Sequence, residues 1–384
     1  MPPMFTRALQ PPNGSFFLFG PRGTGKSTWI REHFPHAVSY DLLDTGESLR
    51  LAREPRALYR EVEGVPRGDW VVIDEIQKVP ALLDEVHSLM ETKGLRFVLS
   101  GSSARKLRRG ASNLLAGRAI VEQMFPLVSG EAGWESMSEA PLAYGTLPLA
   151  LNSGDPVAFL NAYAQTYLQE EIRAEALTRN IGAFSRFLEI AARQNGQVTN
   201  VAGLARDAAV SRQTVQNYFE ILDDTLLGFW LRPWKLKSST RQVGHPKFYL
   251  FDSGVARALS GRIPYPPSPE EKGPLMETWI LNEFRAYLSY RKLRYPLYYW
   301  RTHDGSEVDL FLETRDGFVA VEIKSSTRWD QRFNRSLKSL QGFMGDRHLR
   351  CFGVFLGDRS AHWGDIEVMP ARQFLDRLWS DQLL

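Results

Sequence analysis

Cysteine is nearly absent: among 384 residues only Cys351 carries a thiol, which excludes an internal disulfide framework. Long apolar runs are missing too, and no stretch approaches the roughly 20 residues that a membrane-spanning helix needs. The opening residues Met1-Pro2-Pro3-Met4-Phe5-Thr6-Arg7 lack the apolar core of a secretion signal, so the expected location is cytoplasmic, with no membrane partner. Charge of one sign is scarce as well. The formal net charge of +3 is too small to diagnose a nucleic-acid binder, although local basic runs such as Arg105-Lys106-Leu107-Arg108-Arg109 remain. What is present, 43% hydrophobic and 24% charged residues, is ordinary for a soluble globular protein. The length exceeds one compact core and implies two or three domains, so several modules have to be found.

The first is plain. Ser15-Phe16-Phe17-Leu18-Phe19 is a compact apolar run suited to a buried strand, and Gly20-Pro21-Arg22-Gly23-Thr24-Gly25-Lys26-Ser27-Thr28 follows it into a helical pattern. Glycines let the backbone curl so that its N–H groups face a phosphate, and the dipole of the following helix favours the same negative charge. Lys26 is placed to reach the β- and γ-phosphates of ATP, and Ser27 to hold Mg2+. A second apolar run, Trp70-Val71-Val72-Ile73, ends in Asp74-Glu75. P-loop enzymes need a carboxylate there for the magnesium shell and a base or water-orienting group, roles that Asp74 and Glu75 fit. A third run, Leu95 to Leu99, leads into Ser100-Gly101-Ser102-Ser103, making Ser100 and Ser102 candidate γ-phosphate sensors; hydroxyls also form turns after strands.

This succession over about residues 12 to 130 resembles the AAA-type ATPases, whose Walker A loop, Walker B acidic pair and sensor strand share one parallel sheet. The resemblance implies that Arg118, in Leu115-Ala116-Gly117-Arg118, is either an arginine finger serving a neighbouring copy or a surface ion-pair arginine. A finger would require a homo-oligomer.

Beyond the turn Tyr144-Gly145-Thr146-Leu147-Pro148, residues Ala158 to Leu177 repeat apolar positions at helical spacing and read as a packed connector. Thr199 to Ala208 and Ser211 to Asp223 read as two helices joined by a short turn, with Ser211 as N-cap of the second. Arg212, Gln213, Thr214, Gln216 and Asn217 on its first turns can contact phosphates or base edges. With strands Leu226 to Leu231 and Lys247 to Phe251 as the wing, the segment looks like a winged-helix domain, a module used for DNA and also for protein contacts.

Past the proline-rich Ile263 to Pro269, Leu275 to Leu288 is helical in pattern, and Leu297–Arg301, Glu307–Leu312 and Phe318–Ser325 read as strands. Glu322 and Lys324 lie two residues apart and so share a face, beside the strand that carries Asp309. Two carboxylates suit Mg2+, or Mn2+, while a lysine orients water or stabilises the charge of phosphodiester cleavage. Glu277, on the preceding helix, is a further candidate metal ligand. Gly305-Ser306-Glu307-Val308-Asp309 and Val321-Glu322-Ile323-Lys324-Ser325-Ser326 resemble the PD-(D/E)XK nuclease superfamily over roughly residues 272 to 384, with Val308 where a proline is familiar. That resemblance also implies a polar role for Gln341. The order of modules, with Tyr167-Leu168-Gln169-Glu170-Glu171-Ile172 and Lys247-Phe248-Tyr249-Leu250-Phe251-Asp252-Ser253-Gly254, resembles bacterial and archaeal ATPases carrying a C-terminal domain of unknown function 4143.

The expected fold is therefore α/β and multidomain. Its parts are a P-loop ATPase with a parallel sheet over 1–145, a helical connector and winged helix over 146–262, and a nuclease-like α/β domain over 263–384. The expected activity is ATP hydrolysis whose ATP/ADP state controls a magnesium-dependent DNA nuclease. The alternative is a nucleotide switch whose nuclease-like part is a non-catalytic DNA or protein platform.

Overall fold

The computed structural model describes residues 5–103, 114–133, 140–167, 180–235 and 244–384. The basic run 105–109 and most of the segment 167–172 lie outside the described residues, and the connector helix is described only as Pro156–Ala162 and a wider turn to Tyr167. Two compact units form, one of Arg7–Phe125 with Ile221–Leu227, the other of the rest. The main segment of the nucleotide unit runs to Phe125, and strands on both sides of residue 262 share one sheet.

In the nucleotide unit, β1 (Phe16–Phe19), β2 (Val38–Asp41), β3 (Trp70–Asp74), β4 (Arg96–Gly101) and β5 (Ile120–Gln123) form a five-stranded sheet ordered β2-β3-β4-β1-β5, parallel throughout. Every side chain of β1 is buried, as expected of a strand covered on both faces. Helices α1 (Lys26–His33), α2 (Thr45–Arg53), α3 (Arg56–Glu61) and α4 (Leu82–Thr92) connect the strands. Leu58, Leu82, Val86 and Leu89 pack with Val71, Ile73, Phe97 and Leu99 in one core. Because β4 runs on through Gly101, Ser100 sits inside the strand rather than after it.

The second unit has helices α5 (Ile181–Arg193), α6 (Val201–Asp207) and α7, whose range Arg212–Asp224 ends in the nucleotide unit. A hairpin follows, made of β6 (Gly228–Pro233) and β7 (Lys247–Leu250). Then come α8 (Ser253–Leu259), α9 (Pro269–Tyr290), β8 (Leu297–Arg301), β9 (Glu307–Thr314), β10 (Gly317–Lys324), α10 (Asn334–Met344), β11 (Leu349–Phe355), β12 (Ala361–Trp363), β13 (Ile366–Pro370) and α11 (Ala371–Trp379). The hairpin is not a free wing: β6 pairs parallel with β8 through Arg232 and Pro233, giving an eight-stranded sheet ordered β12-β13-β11-β10-β9-β8-β6-β7. Alternation decides the two faces. Leu310, Leu312, Val319, Val321 and Ile323 pack with Trp279, Ile280 and Phe284 of α9 and Phe374 of α11. Phe311, Ala320 and Cys351 face Leu337, Leu340 and Met344 of α10.

Two sequence motifs explain each other here. The Asp252 carboxylate accepts from Thr146 N–H at 2.7 Å and Val255 N–H at 2.9 Å, joining the 144–148 turn to the start of α8. Gly145, at φ 70°, leaves no room for a side chain against that carboxylate. Helix α9 begins earlier than its apolar pattern, because Ser268 and Glu271 form a capping box around Pro269.

Midway along α9, Glu283 is buried and accepts from Ser129 N–H (2.8 Å), Trp279 Nε1 (3.1 Å) and Trp379 Nε1 (2.7 Å). Burial outweighs these donors and raises its pKa from 4.5 to about 7. The folded state then holds a proton that the unfolded state releases, so stability falls as pH rises from about 4.5 through 7, by up to about 3 kcal/mol. Urea unfolding at pH 5 and pH 8 tests this: Glu283→Gln is expected to flatten the dependence, and an unchanged slope would assign it to another group.

Candidate functional site

The phosphate loop is built as its glycines dictate. Gly23 (φ 83°) and Gly25 (φ 92°) take left-handed conformations, and Gly25 caps α1, so backbone N–H groups gather at the helix start. Gly20 has no space for a Cβ against the Met124 carbonyl and the Thr24 hydroxyl. Thr24 Oγ1 donates to Pro21 O at 2.9 Å and tightens the turn. Lys26 is folded over the loop, its Nζ donating to Gly20 O at 2.7 Å and Pro21 O at 3.2 Å. Arg22, Ser27 and Thr28 are exposed.

Adjacent strand ends complete the site. Ser27 Oγ donates to Asp74 Oδ2 at 2.6 Å, and Ser100 Oγ donates to the other Asp74 oxygen. Glu75, held at φ 60°, directs its N–H to Ser100 Oγ at 3.4 Å. Gln77 carries no motif that marks it in the sequence. It is buried, and its amide nitrogen donates to Glu75 Oε2 and, at 3.3 Å, to Ser102 Oγ, linking the acidic pair to the second sensor candidate. A Cβ at Gly101 would crowd the Gln77 amide in its present position. The buried Gln77 Oε1 has no hydrogen-bond partner among the described residues, as suits a group lining a polar site. A hydroxyl and a carboxylate joined beside a ring of backbone N–H groups fit Mg2+ with a nucleotide. Arg118 pairs with Glu91 of its own chain at 2.5 Å on the surface.

The second candidate site lies on β9 and β10. Asp309 Oδ2 accepts from Ile323 N–H at 2.7 Å and lies 3.5 Å from Lys324 Nζ, which is 2.5 Å from Glu322 Oε1. Asp309, Glu322 and Lys324 therefore converge. Glu322 is 4% exposed, and its Oε2 has no partner among the described residues. Burial, with Asp309 adding to it, raises the Glu322 pKa well above the carboxylate range. Burial opposes the Lys324 charge, but Asp309 and Glu322 prevail and raise its pKa.

Glu277 has partners of its own beside this cluster. Its Oε2 accepts from Tyr249 Oη at 2.5 Å and lies 3.5 Å from Lys247 Nζ, which also pairs with Glu307 at 2.6 Å. Burial raises Glu277 to a pKa of about 6 against the pull of Lys247. Among the described residues no group of three or more His, Cys, Asp or Glu side chains is set to hold a metal ion. The physical reason is that β7 supplies Lys247 and Tyr249 to engage Glu277, while the Lys324 ammonium stands between Asp309 and Glu322. Two carboxylates with one unpartnered oxygen still fit Mg2+, which commonly takes one or two protein carboxylates plus water and substrate phosphate. Gln341 lies on α10, the helix over that face, where its carbonyl accepts the Gly345 N–H that ends the helix.

A glycine loop between a buried parallel strand and a helix, flanked by Ser27–Asp74, defines a P-loop nucleotide-binding unit. Residues 13–132 match the family model of an AAA domain. Residues 139–264 match a domain of unknown function (DUF8612), and 272–374 another domain of unknown function (DUF4143). An uncharacterized protein of Mycobacterium tuberculosis is 29% identical over 378 residues, covering 96% of this chain and 82% of that protein. An uncharacterized protein of Haemophilus influenzae is 20% identical over 211 residues, 50% of this chain and 53% of that protein. Among solved structures, the Aeropyrum pernix ORC2 protein in ADPNP and ADP complexes covers 66% of this chain and 89% of its own, at 14% identity and TM-score 0.25. A STAND ATPase with a tetratricopeptide repeat sensor from Pyrococcus horikoshii covers 73% of this chain and 46% of its own, at 14% and 0.22. Likeness at that level bears on neither activity nor partner. No described helix is long and apolar enough to cross a membrane.

Proposed function

We propose that ATP binding and hydrolysis at Lys26, Ser27, Asp74 and Glu75 control a magnesium-dependent DNA nuclease centred on Asp309, Glu322 and Lys324. The observation that carries this reading is the buried, unpartnered Glu322 Oε2 beside Asp309 and Lys324. An oxygen left without a partner at such depth is costly unless a cation meets it. Magnesium, when bound there, supplies Lewis acidity toward a scissile phosphate. Asp309 and Glu322 hold the ion, and Lys324 stabilises charge on the phosphate or orients the attacking water.

The DNA-binding part of the proposal is a winged helix. The order α5, the bridge Val198–Lys247, α6, α7, β6 and β7 supports it. So does the exposure of Arg212, Gln213, Gln216 and Asn217 at the start of α7. The capture of Glu277 by Lys247 and Tyr249 favours a second reading, in which the nuclease-like site is a non-catalytic platform for DNA or protein.

Incubating the full chain with Mg2+ or Mn2+ and single- or double-stranded DNA, with ATP, ADP or neither, separates the two readings. Cleavage lost in Asp309→Ala and Lys324→Ala is expected. No cleavage sensitive to these substitutions in any nucleotide state would sink the nuclease reading and leave the platform.

A further inference from the structure

We propose that Arg7 is a positioning residue of the nucleotide site, acting on the phosphate loop from behind. The residue is 7% exposed, and its guanidinium donates through one terminal nitrogen to Thr24 O at 2.6 Å and through the other to Phe125 O at 2.7 Å. The first acceptor lies inside the loop. The second lies two residues beyond β5, the strand that pairs with β1 and delivers that loop.

The Thr24 carbonyl belongs to the same peptide group as the Gly25 N–H. A cation bonded to that oxygen polarises the peptide and makes the N–H a stronger donor. Gly25 is the left-handed N-cap of α1, where donors gather for a phosphate. A permanent positive charge within this low-dielectric wall adds to the favourable field there. Arginine suits the place because its planar fork satisfies two carbonyls in fixed directions, which a single ammonium cannot do.

The position also has a topological meaning. Arg7 and Phe125 are the first and last residues of the main segment of the nucleotide unit, the places where the chain enters and leaves it. One side chain therefore ties both places to a single phosphate-loop carbonyl. This inference rests on nucleotide binding by the loop and not on any activity at Asp309, Glu322 and Lys324.

The test uses the full chain and a fluorescent ADP analogue, with ATP turnover measured in parallel. Arg7→Met is expected to weaken ADP affinity by roughly tenfold or more and to raise KM for ATP more than it lowers kcat. Arg7→Lys, which keeps the charge but not the fork, should recover part of that loss. Leu58→Ala, a core truncation in the same unit, should lower the thermal midpoint yet leave ADP affinity unchanged. If Arg7→Met fails to fold, Arg7→Lys alone decides, with a severalfold weaker affinity expected. Wild-type ADP affinity in the folded Arg7 variants would overturn the inference. Failure of the wild type to bind ADP would instead overturn the nucleotide reading itself, and Arg7's role with it.

Discussion

Glu75→Gln should bind ATP as the wild type does and turn it over roughly a hundredfold or more slowly, the usual scale for losing a base that activates a nucleophile. The change keeps the shape and removes the charge. Glu75 sits in a left-handed conformation one residue past β3, where its N–H meets Ser100 and its carboxylate meets Gln77. It belongs to neither the Ser27–Asp74 pair nor the loop, so binding survives while activation of water fails. Lys26→Ala is the contrasting variant: it removes the loop's own cation, and nucleotide binding should be lost together with turnover. Titration with a fluorescent ATP analogue beside phosphate-release kinetics distinguishes the two. Equal hydrolysis by wild type and Glu75→Gln would remove Glu75 from the mechanism.

Lys324→Met carries the largest expected effect on stability. It leaves Asp309 and Glu322 buried together with no ammonium between them, and breaking a buried pair in this way costs about 3–5 kcal/mol. Glu322 already binds its proton well above the carboxylate range, so lowering the pH neutralises the repulsion. The deficit should be large at pH 8, shrink at pH 5 and be relieved by millimolar Mg2+. Urea unfolding across that grid provides the check. A deficit equal at both pH values and indifferent to Mg2+ would show that the lysine stem matters only through packing.

What the sequence discloses depends on how local each interaction is. The phosphate loop is legible because glycine conformation, helix start and lysine all lie within nine residues. Asp309, Glu322 and Lys324 are legible because strand alternation alone puts Glu322 and Lys324 on one face. Gln77 and Arg7 are not, since their partners are set by how strands stack in space. The Phe125 carbonyl that Arg7 grips lies 118 residues away. The partners of Glu277 are hidden for a related reason. Its helix was legible, but Lys247 and Tyr249 reach it from β7, a strand whose place in the sheet no periodicity reveals. The edge strand β2 escaped because Tyr40 is its only buried side chain, leaving no apolar run.

The lone thiol of Cys351 lies at 2% exposure on the α10 face of the large sheet, and burial pushes its pKa up to about 12. The thiolate is the form that attacks a maleimide, so the native chain should be close to inert toward such reagents until that sheet opens. A cysteine introduced on the surface can therefore carry a fluorophore without competition. The slow labelling of Cys351 itself becomes a clock for the opening of the eight-stranded sheet, read by mass spectrometry one adduct at a time.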